Sequence, residues 1–308
     1  MLKLVTYDYR GVSRVGVYVG EKIAHLARLA GLMGRGGLNP SSMVELIENW
    51  EELGPRVRAL VADAEKEAGD LAPILMDPED ISFLAPVPRP NKNILCMGLN
   101  YKDHVEEGLK ASDVQTTRVE LDQPIFFTKS PSTLIGHGAG IPRHNCSEKY
   151  DYEAEIAVII GRRGMGIPKE KVYEHIFGYC CANDISARDI QRRHKQIFKG
   201  KTLDGSCPLG PYIVPREDYG DPMSKTVKSW VNGEPRQDST TANMIHDIPA
   251  MIASLSEGFT LEPGDIFLTG TPSGVGYARE VPSFLQPGDV VEVEVEGLGR
   301  LRNPVVRA

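Results

Sequence analysis

Between Tyr150 and Gly161 the chain runs Tyr-Asp-Tyr-Glu-Ala-Glu-Ile-Ala-Val-Ile-Ile-Gly, an apolar strand with acids where packing should reject them. Side chains alternate between the two faces of a strand, so Tyr152, Ala154, Ile156, Val158 and Ile160 share one apolar face. Asp151, Glu153 and Glu155 are then expected to project together from the other face. Neighbouring carboxylates repel and resist leaving water, so one must hold a proton or a cation must sit between them. A divalent metal meets that demand and makes the chain a candidate enzyme. The competing reading is a solvent-facing acidic stripe on an edge strand.

A third ligand should come from a neighbouring strand end. Asn183-Asp184, closing an expected strand over 176–182, supplies Asp184. Glu153, Glu155 and Asp184 offer only carboxylate oxygens, which select a hard ion such as Mg2+ or Mn2+; zinc would want His or Cys.

A second group lies in Asn100-Tyr101-Lys102-Asp103-His104-Val105-Glu106-Glu107. If this segment is helical, His104 and Glu107 lie one turn apart on one face, and the carboxylate can orient the imidazole as a general base for water. On spacing alone the commoner reading is a surface helix end with a casual His–Glu pair. The polar run from Gly108 to Asp122 has no clear apolar stripe and reads as a flap that orders over a substrate. In a third group, Ser186-x-x-Asp189 is expected to cap a helix on which Arg188 and Gln191 share a face beside the metal. Arg188 suits paired hydrogen bonds to a substrate carboxylate, against the plainer reading of a surface arginine.

Around these groups the pattern is α+β and rich in strands. Residues 3–19 read as two strands about an Arg10-Gly11 turn, with Val15, Val17 and Val19 alternating. Ser42-x-x-Glu45 reads as a capping box opening a helix that Gly54-Pro55 stops, and Pro55 as the start of another. Strands are expected at 93–98, 124–128 and 291–296, and Leu-x-Pro-Gly-Asp turns precede Ile266 and Val290. Short strands with Gly-rich turns and few long helices suggest a mixed β-sandwich roll behind a small N-terminal α/β domain. The expected boundaries are residues 1–75 for the small domain, 76–92 for a proline-rich linker and 93–308 for the main domain.

Several functions are disfavoured. A net charge of −7 with both signs interspersed argues against nucleic acid, and Arg192-Arg193-His194-Lys195 reads as a solvated helix face. No apolar stretch approaches membrane-spanning length, and residues 1–10 lack a signal-peptide pattern. Five cysteines without a C-x-x-C pair read as buried thiols of a reduced, cytoplasmic protein. Gly200-Lys201-Thr202 has Lys195 where a P-loop needs glycine, and neither Ser206 nor Ser273 sits in a nucleophile elbow.

The residues together resemble the fumarylacetoacetate hydrolase family over roughly 90–305, in particular its acylpyruvase-like bacterial members. The motifs that carry the resemblance run in order. They are Gly98-Leu99-Asn100-Tyr101-x-x-His104-x-x-Glu107, Pro124-Ile125-Phe126-Phe127-Thr128-Lys129, Asp151-Tyr152-Glu153-Ala154-Glu155 and Asn183-Asp184-x-Ser186-Ala187-Arg188-x-x-Gln191. Lys201-x-x-Asp204-x-x-Cys207-Pro208-Leu209-Gly210-Pro211 and Thr269-Gly270-Thr271-Pro272-Ser273-Gly274-Val275-Gly276 complete the series.

The resemblance implies Mg2+ or Mn2+ on Glu153, Glu155 and Asp184, water activation by His104 with Glu107, and Lys201 beside the reacting carbonyl. It implies substrate contacts from Arg188, Gln191 and Thr271, with Lys129 close by. The family's namesake branch has a further acidic ligand with no identified counterpart here. The implied reaction is hydrolysis of a carbon–carbon bond in a 2,4-dioxo acid through a metal-stabilised enolate, in a homodimer acting on a small keto acid. Oxaloacetate decarboxylation and 2-hydroxyhepta-2,4-diene-1,7-dioate-type isomerisation need the same enolate and stand as alternatives. A non-catalytic binding module with a structural metal is the remaining one.

Overall fold

The computed structural model describes residues 1–111 and 122–308; the greater part of the expected flap lies outside the described residues. The dominant element is an eleven-stranded, mostly antiparallel sheet. Its order from one edge is Lys22–His25, Val12–Val19, Leu4–Tyr9, Cys207–Pro215, Ile176–Asn183, Ala154–Ile160, Ile266–Leu268, Ile94–Gly98 and Ile125–Lys129. Two short strands, Ser82–Phe83 and Leu134–Ile135, pair off this path. A second sheet of five strands runs Glu234–Thr240, Thr226–Val231, Val290–Val295, Arg300–Arg307 and Ile141–Arg143.

The strand Ala154–Ile160 shows why the layers stack as they do. Every residue in it is buried, so both of its faces must be covered. Ala154, Ile156, Val158 and Ile160 pack in one cluster with Val227, Val293, Val295 and Leu301 of the second sheet. Ala157 and Ile159 face the opposite way, into a cluster with Leu46, Ile47, Val57 and Leu60 of the N-terminal helices. The result is three layers: helices, large sheet, small sheet. The N-terminal hairpin joins the large sheet directly, since Leu4 pairs with Ile213.

Local readings fared unevenly. The hairpin turns at Arg10-Gly11, both with positive φ (55° and 81°), as a tight two-residue turn requires. Strands at 94–98, 125–129, 176–183 and 290–295 stand where patterning placed them, and each Leu-x-Pro-Gly-Asp turn leads into one.

The helix boundary at Gly54-Pro55 is a correction: the break falls at Asn49, between Met43–Glu48 and Trp50–Lys66, and Pro55 lies inside the second helix. Pro55 is the sixth residue of that helix and leaves the Glu51 carbonyl without its intrahelical N–H, but both residues are exposed, so water can serve that carbonyl. Gly54 is retained for space, because a Cβ would meet the Trp50 ring at 2.8 Å. That ring packs edge-on against Phe177 of the large sheet, 5.0 Å between centroids. The capping box is half formed: Ser42 Oγ accepts from Glu45 N–H at 3.1 Å, but the Glu45 carboxylate accepts from Ser41 N–H rather than Ser42. Four of the cysteines are buried thiols as expected, while Cys146 is exposed. No helix among the described residues is long and apolar enough to cross a membrane.

Candidate active site

The pairing of Ala154 with Asn183 decides the centre of the site. It sets residues flanking the start of one strand beside the residue that ends its neighbour, and Asp184 N–H donates to the Glu153 carbonyl at 2.9 Å. Glu153, Glu155 and Asp184 consequently converge, each offering an oxygen within 4.8 Å of the others. They are 5%, 1% and 0% exposed, which excludes the solvent-facing stripe.

Asp151 does not join them, contrary to the expectation from strand alternation. It sits in a separate short pair with Ser186, and the strand is interrupted at Tyr152 and Glu153 before it resumes at Ala154. Its carboxylate instead accepts from Arg188 Nε at 2.8 Å, Gly276 N–H at 2.6 Å and Tyr277 N–H at 3.2 Å. Burial pushes Asp151 above the usual carboxylate range, with Arg188 opposing. Asp151 therefore anchors an arginine and a loop.

Cations surround the triad unevenly. Lys201 Nζ lies 2.6 Å from Glu153 and 2.7 Å from Asp184. Arg188 reaches Glu153 at 2.7 Å, and Lys129 reaches Asp184 at 2.7 Å while donating to the Ile185 carbonyl at 3.1 Å. Glu155 has no lysine, arginine or histidine within ion-pair distance among the described residues; its Oε2 accepts from Gly270 N–H at 2.7 Å.

The electrostatics follow this asymmetry. Burial works against Glu153 ionising, but Lys201 and Arg188 outweigh it and pull the group down to about 2. Burial, then Asp184 and Glu153, push Glu155 well above the usual carboxylate range. Lys201 is held above the ordinary lysine value because Asp184 and Glu153 overcome the burial that would lower it.

The helix Lys102–Ala111 brings His104 to the site. His104 is buried, and its Nδ1 lies 3.0 Å from Glu107 Oε1, so the pair is no casual surface contact. Glu107 Oε2 accepts from Gly274 N–H at 2.8 Å, while Asp103 accepts from Ser273 Oγ at 2.9 Å. The helix is thus pinned by two acids to the 273–274 turn. His104, Glu153, Arg188, Gln191, Lys201 and Thr271 all line one cavity of about 80 Å³. Lys129 is fully buried behind Asp184 and is not among the lining residues.

Other features escaped the motifs. Ser186 caps nothing: the helix Arg188–His194 has no side-chain cap, and Ser186 Oγ donates to Glu153 or the Asp184 carbonyl. Asp189 accepts from Ser147 Oγ and Glu148 N–H. Gln237, from the small sheet, is buried and fully used: it accepts from Ala154 N–H and Ser229 Oγ, and donates to Thr271 Oγ1 and the Pro272 carbonyl. It ties both sheets to the site, yet it stands in a polar run, Pro235-Arg236-Gln237-Asp238-Ser239, with nothing local to mark that role. Asn100 lay inside a quoted motif without a role. It joins three segments by bonds to Thr269 O, His246 O and His246 N–H.

Two glycines are required. Gly270 (φ 92°) turns its N–H onto Glu155, and a Cβ would meet Asn100 Cβ at 2.8 Å. Gly274 (φ 100°) presents its N–H to Glu107, and a Cβ would collide with the Arg236 carbonyl oxygen. Gly274→Ala should destabilise the protein by about 1–3 kcal/mol through backbone strain, read by urea denaturation. A variant as stable as wild type would show that the turn can relax without its glycine.

Fold and centre together define a class: a strand-rich α+β protein with a buried acidic cluster able to hold a cation. The chain belongs to the fumarylacetoacetate (FAA) hydrolase C-terminal family, whose model matches residues 93–306. It is 42% identical over 267 residues to the oxaloacetate tautomerase YisK of Bacillus subtilis (strain 168), covering 86% of this chain and 87% of that protein. A solved fumarylacetoacetate hydrolase from psychrophilic Exiguobacterium antarcticum is similar over 100% of both chains, with TM-score 0.79 and 34% identity. Maleylpyruvate hydrolase from Sphingobium sp. SYK-6, solved with manganese(II) and pyruvate, is similar over 99% of both chains, with TM-score 0.76 and 28% identity. The family includes hydrolases, isomerases and an oxaloacetate tautomerase among such relatives.

Proposed function

We propose that this chain is a divalent-metal-dependent hydrolase that cleaves a carbon–carbon bond in a 2,4-dioxo acid of the acylpyruvate type. The observation that carries this is the buried His104, held by Glu107 at 3.0 Å, lining the same cavity as Glu153. An ionised carboxylate only accepts, so Glu107 holds the proton on Nδ1 and leaves Nε2 as the base.

Glu155 supports a cation at Glu153, Glu155 and Asp184, because a buried carboxylate without a counter-charge is costly and all three donors are oxygen. Mg2+ or Mn2+ suits that donor set; when bound, it would act as a Lewis acid toward negative charge on the substrate. His104 would take a proton from water as the water adds to the distal carbonyl. Lys201, charged and held by two acids, would donate a hydrogen bond to oxygen as charge develops. Arg188 and Gln191 would hold the substrate carboxylate, with Thr271 beside them and Lys129 fixing Asp184 from behind.

A second reading is keto–enol conversion of oxaloacetate, favoured by the 42% identity to a protein of that name. It needs proton transfer but no addition of water. The test is purified protein with Mn2+ or Mg2+ on an acylpyruvate, followed by coupled detection of pyruvate, beside oxaloacetate followed as enol loss. Pyruvate release at comparable or greater efficiency supports hydrolysis. Enol loss without pyruvate replaces it with the second reading, and neither signal removes both.

We assign residues 93–308 as the catalytic unit, 1–75 as a small N-terminal domain and 76–92 as the connection, in a homodimer. A single-chain mass by light scattering would remove the dimer.

A further inference from the structure

A second cavity, of about 490 Å³, shares no residue with the acidic one. Tyr7, Tyr9, Arg14, His25, Arg28 and residues 73–76 line it. Strand register builds it: Tyr7 lies opposite Arg14 and Gly16 opposite His25, so these four residues share one face of the first three strands. Gly16 lets this face pack closely, since a Cβ there would meet Val5 Cγ2 at 2.9 Å and Tyr7 Cε1 at 3.1 Å. Arg28 comes from the helix Leu26–Leu32 that follows the third strand.

The charge at this cavity runs against that of the chain. The protein carries −7, yet no acid among the described residues lines this space. Neither the Arg14 nor the Arg28 guanidinium has a carboxylate partner among the described residues. Tyr7 is only 2% exposed overall; its hydroxyl makes no hydrogen bond among the described residues, and that oxygen keeps access to the cavity. Burial raises Tyr7, while Arg14 and Arg28 pull it the other way; burial and the same two charges lower His25. Both cations therefore bear on one hydroxyl that lines the cavity and has no protein partner among the described residues.

The geometry points to a binding site for a small organic anion. Its carboxylate or phosphate head lies between Arg14 and Arg28 and accepts from the Tyr7 hydroxyl, and its planar or apolar body rests on Tyr9, Leu75 and Met76. The volume falls in the range of small-ligand cavities, and two guanidiniums suit an oxyanion. The site is independent of the acidic cluster and of the reaction proposed there.

The experiment is calorimetric titration of the whole protein with benzoate, phenyl phosphate and, as a neutral control, benzyl alcohol. Wild type should bind at least one anion and not the alcohol, and the preferred anion separates a carboxylate head from a phosphate one. Arg14→Ala and Arg28→Ala should each weaken binding by about ten-fold or more, as loss of a charge-assisted contact does. Tyr7→Phe should weaken it less. Lys66→Ala, which lies outside the cavity, and Glu155→Gln, in the acidic cluster, should leave it unchanged. Equal affinity for the alcohol, unchanged binding in both arginine variants with native melting curves, or no anion binding by wild type overturns the assignment.

Discussion

Glu155→Gln will weaken divalent-cation binding by more than the roughly 10–100-fold that removing an outer partner of a ligand costs. Of the three acids, Glu155 alone has no cation within ion-pair distance among the described residues: Glu153 has Lys201 and Arg188, and Asp184 has Lys129 and Lys201. The amide keeps the shape and can still accept from Gly270 N–H, but it carries no charge.

The same substitution reverses a pH effect. Because the folded state holds Glu155 above its ordinary value, its protonated form contributes stability that is fully present below the unfolded carboxylate value. That contribution is lost as pH rises through the raised value. Metal-free wild type should therefore melt lower with rising pH across that range, and Glu155→Gln should lack this component. Glu153 behaves oppositely: drawn down to about 2, it stabilises above the ordinary carboxylate value and loses that effect as pH falls toward 2. Calorimetric metal titration, with thermal melts in chelator across pH, reads both effects. Undiminished Mn2+ affinity in the variant would remove Glu155 from the centre.

His104→Ala should lower kcat by about 10²–10⁴-fold, the usual contribution of a positioned acid–base group. Metal affinity should stay near wild type, since His104 is not one of the three converging acids. Glu107→Gln should give a smaller loss in kcat together with lower stability, because Glu107 both orients His104 and receives the Gly274 N–H. Turnover measured at saturating metal separates the two effects. Unchanged kcat in His104→Ala would eliminate the base and, with it, hydrolysis by water activation. Loss of pyruvate release with retained enol conversion would show that His104 acts on water alone.

The strands around the site were readable because each carries its own local signal. Alternation of Ile156, Val158 and Ile160 marks a core strand whatever it pairs with, and Arg10-Gly11 marks a turn through backbone sterics. The acids were readable for a related reason, since Glu153 and Glu155 stand where a buried strand cannot take charge unaided. Asp151 looked like a third such acid, but alternation holds only while the strand is continuous, and the chain leaves it at Tyr152 and Glu153. Ser186 illustrates the same limit at a helix start: a capping spacing says nothing of a carboxylate that arrives from elsewhere and takes the hydroxyl.

What the chain's order of residues determined alone was an apolar strand carrying carboxylates, a His–Glu pair at helical spacing and the motifs of a family. All of these are local, within a few residues of backbone. Only the tertiary structure decided which charges meet. Lys129, Arg188 and Lys201 come from separate segments, and their assignment to particular acids leaves Glu155 without a cationic partner among the described residues. The same holds for Gln237, which stands in a polar run yet binds both sheets to the site. Such pairings depend on long-range packing and burial, which turn an ordinary carboxylate into one that demands a proton or a cation.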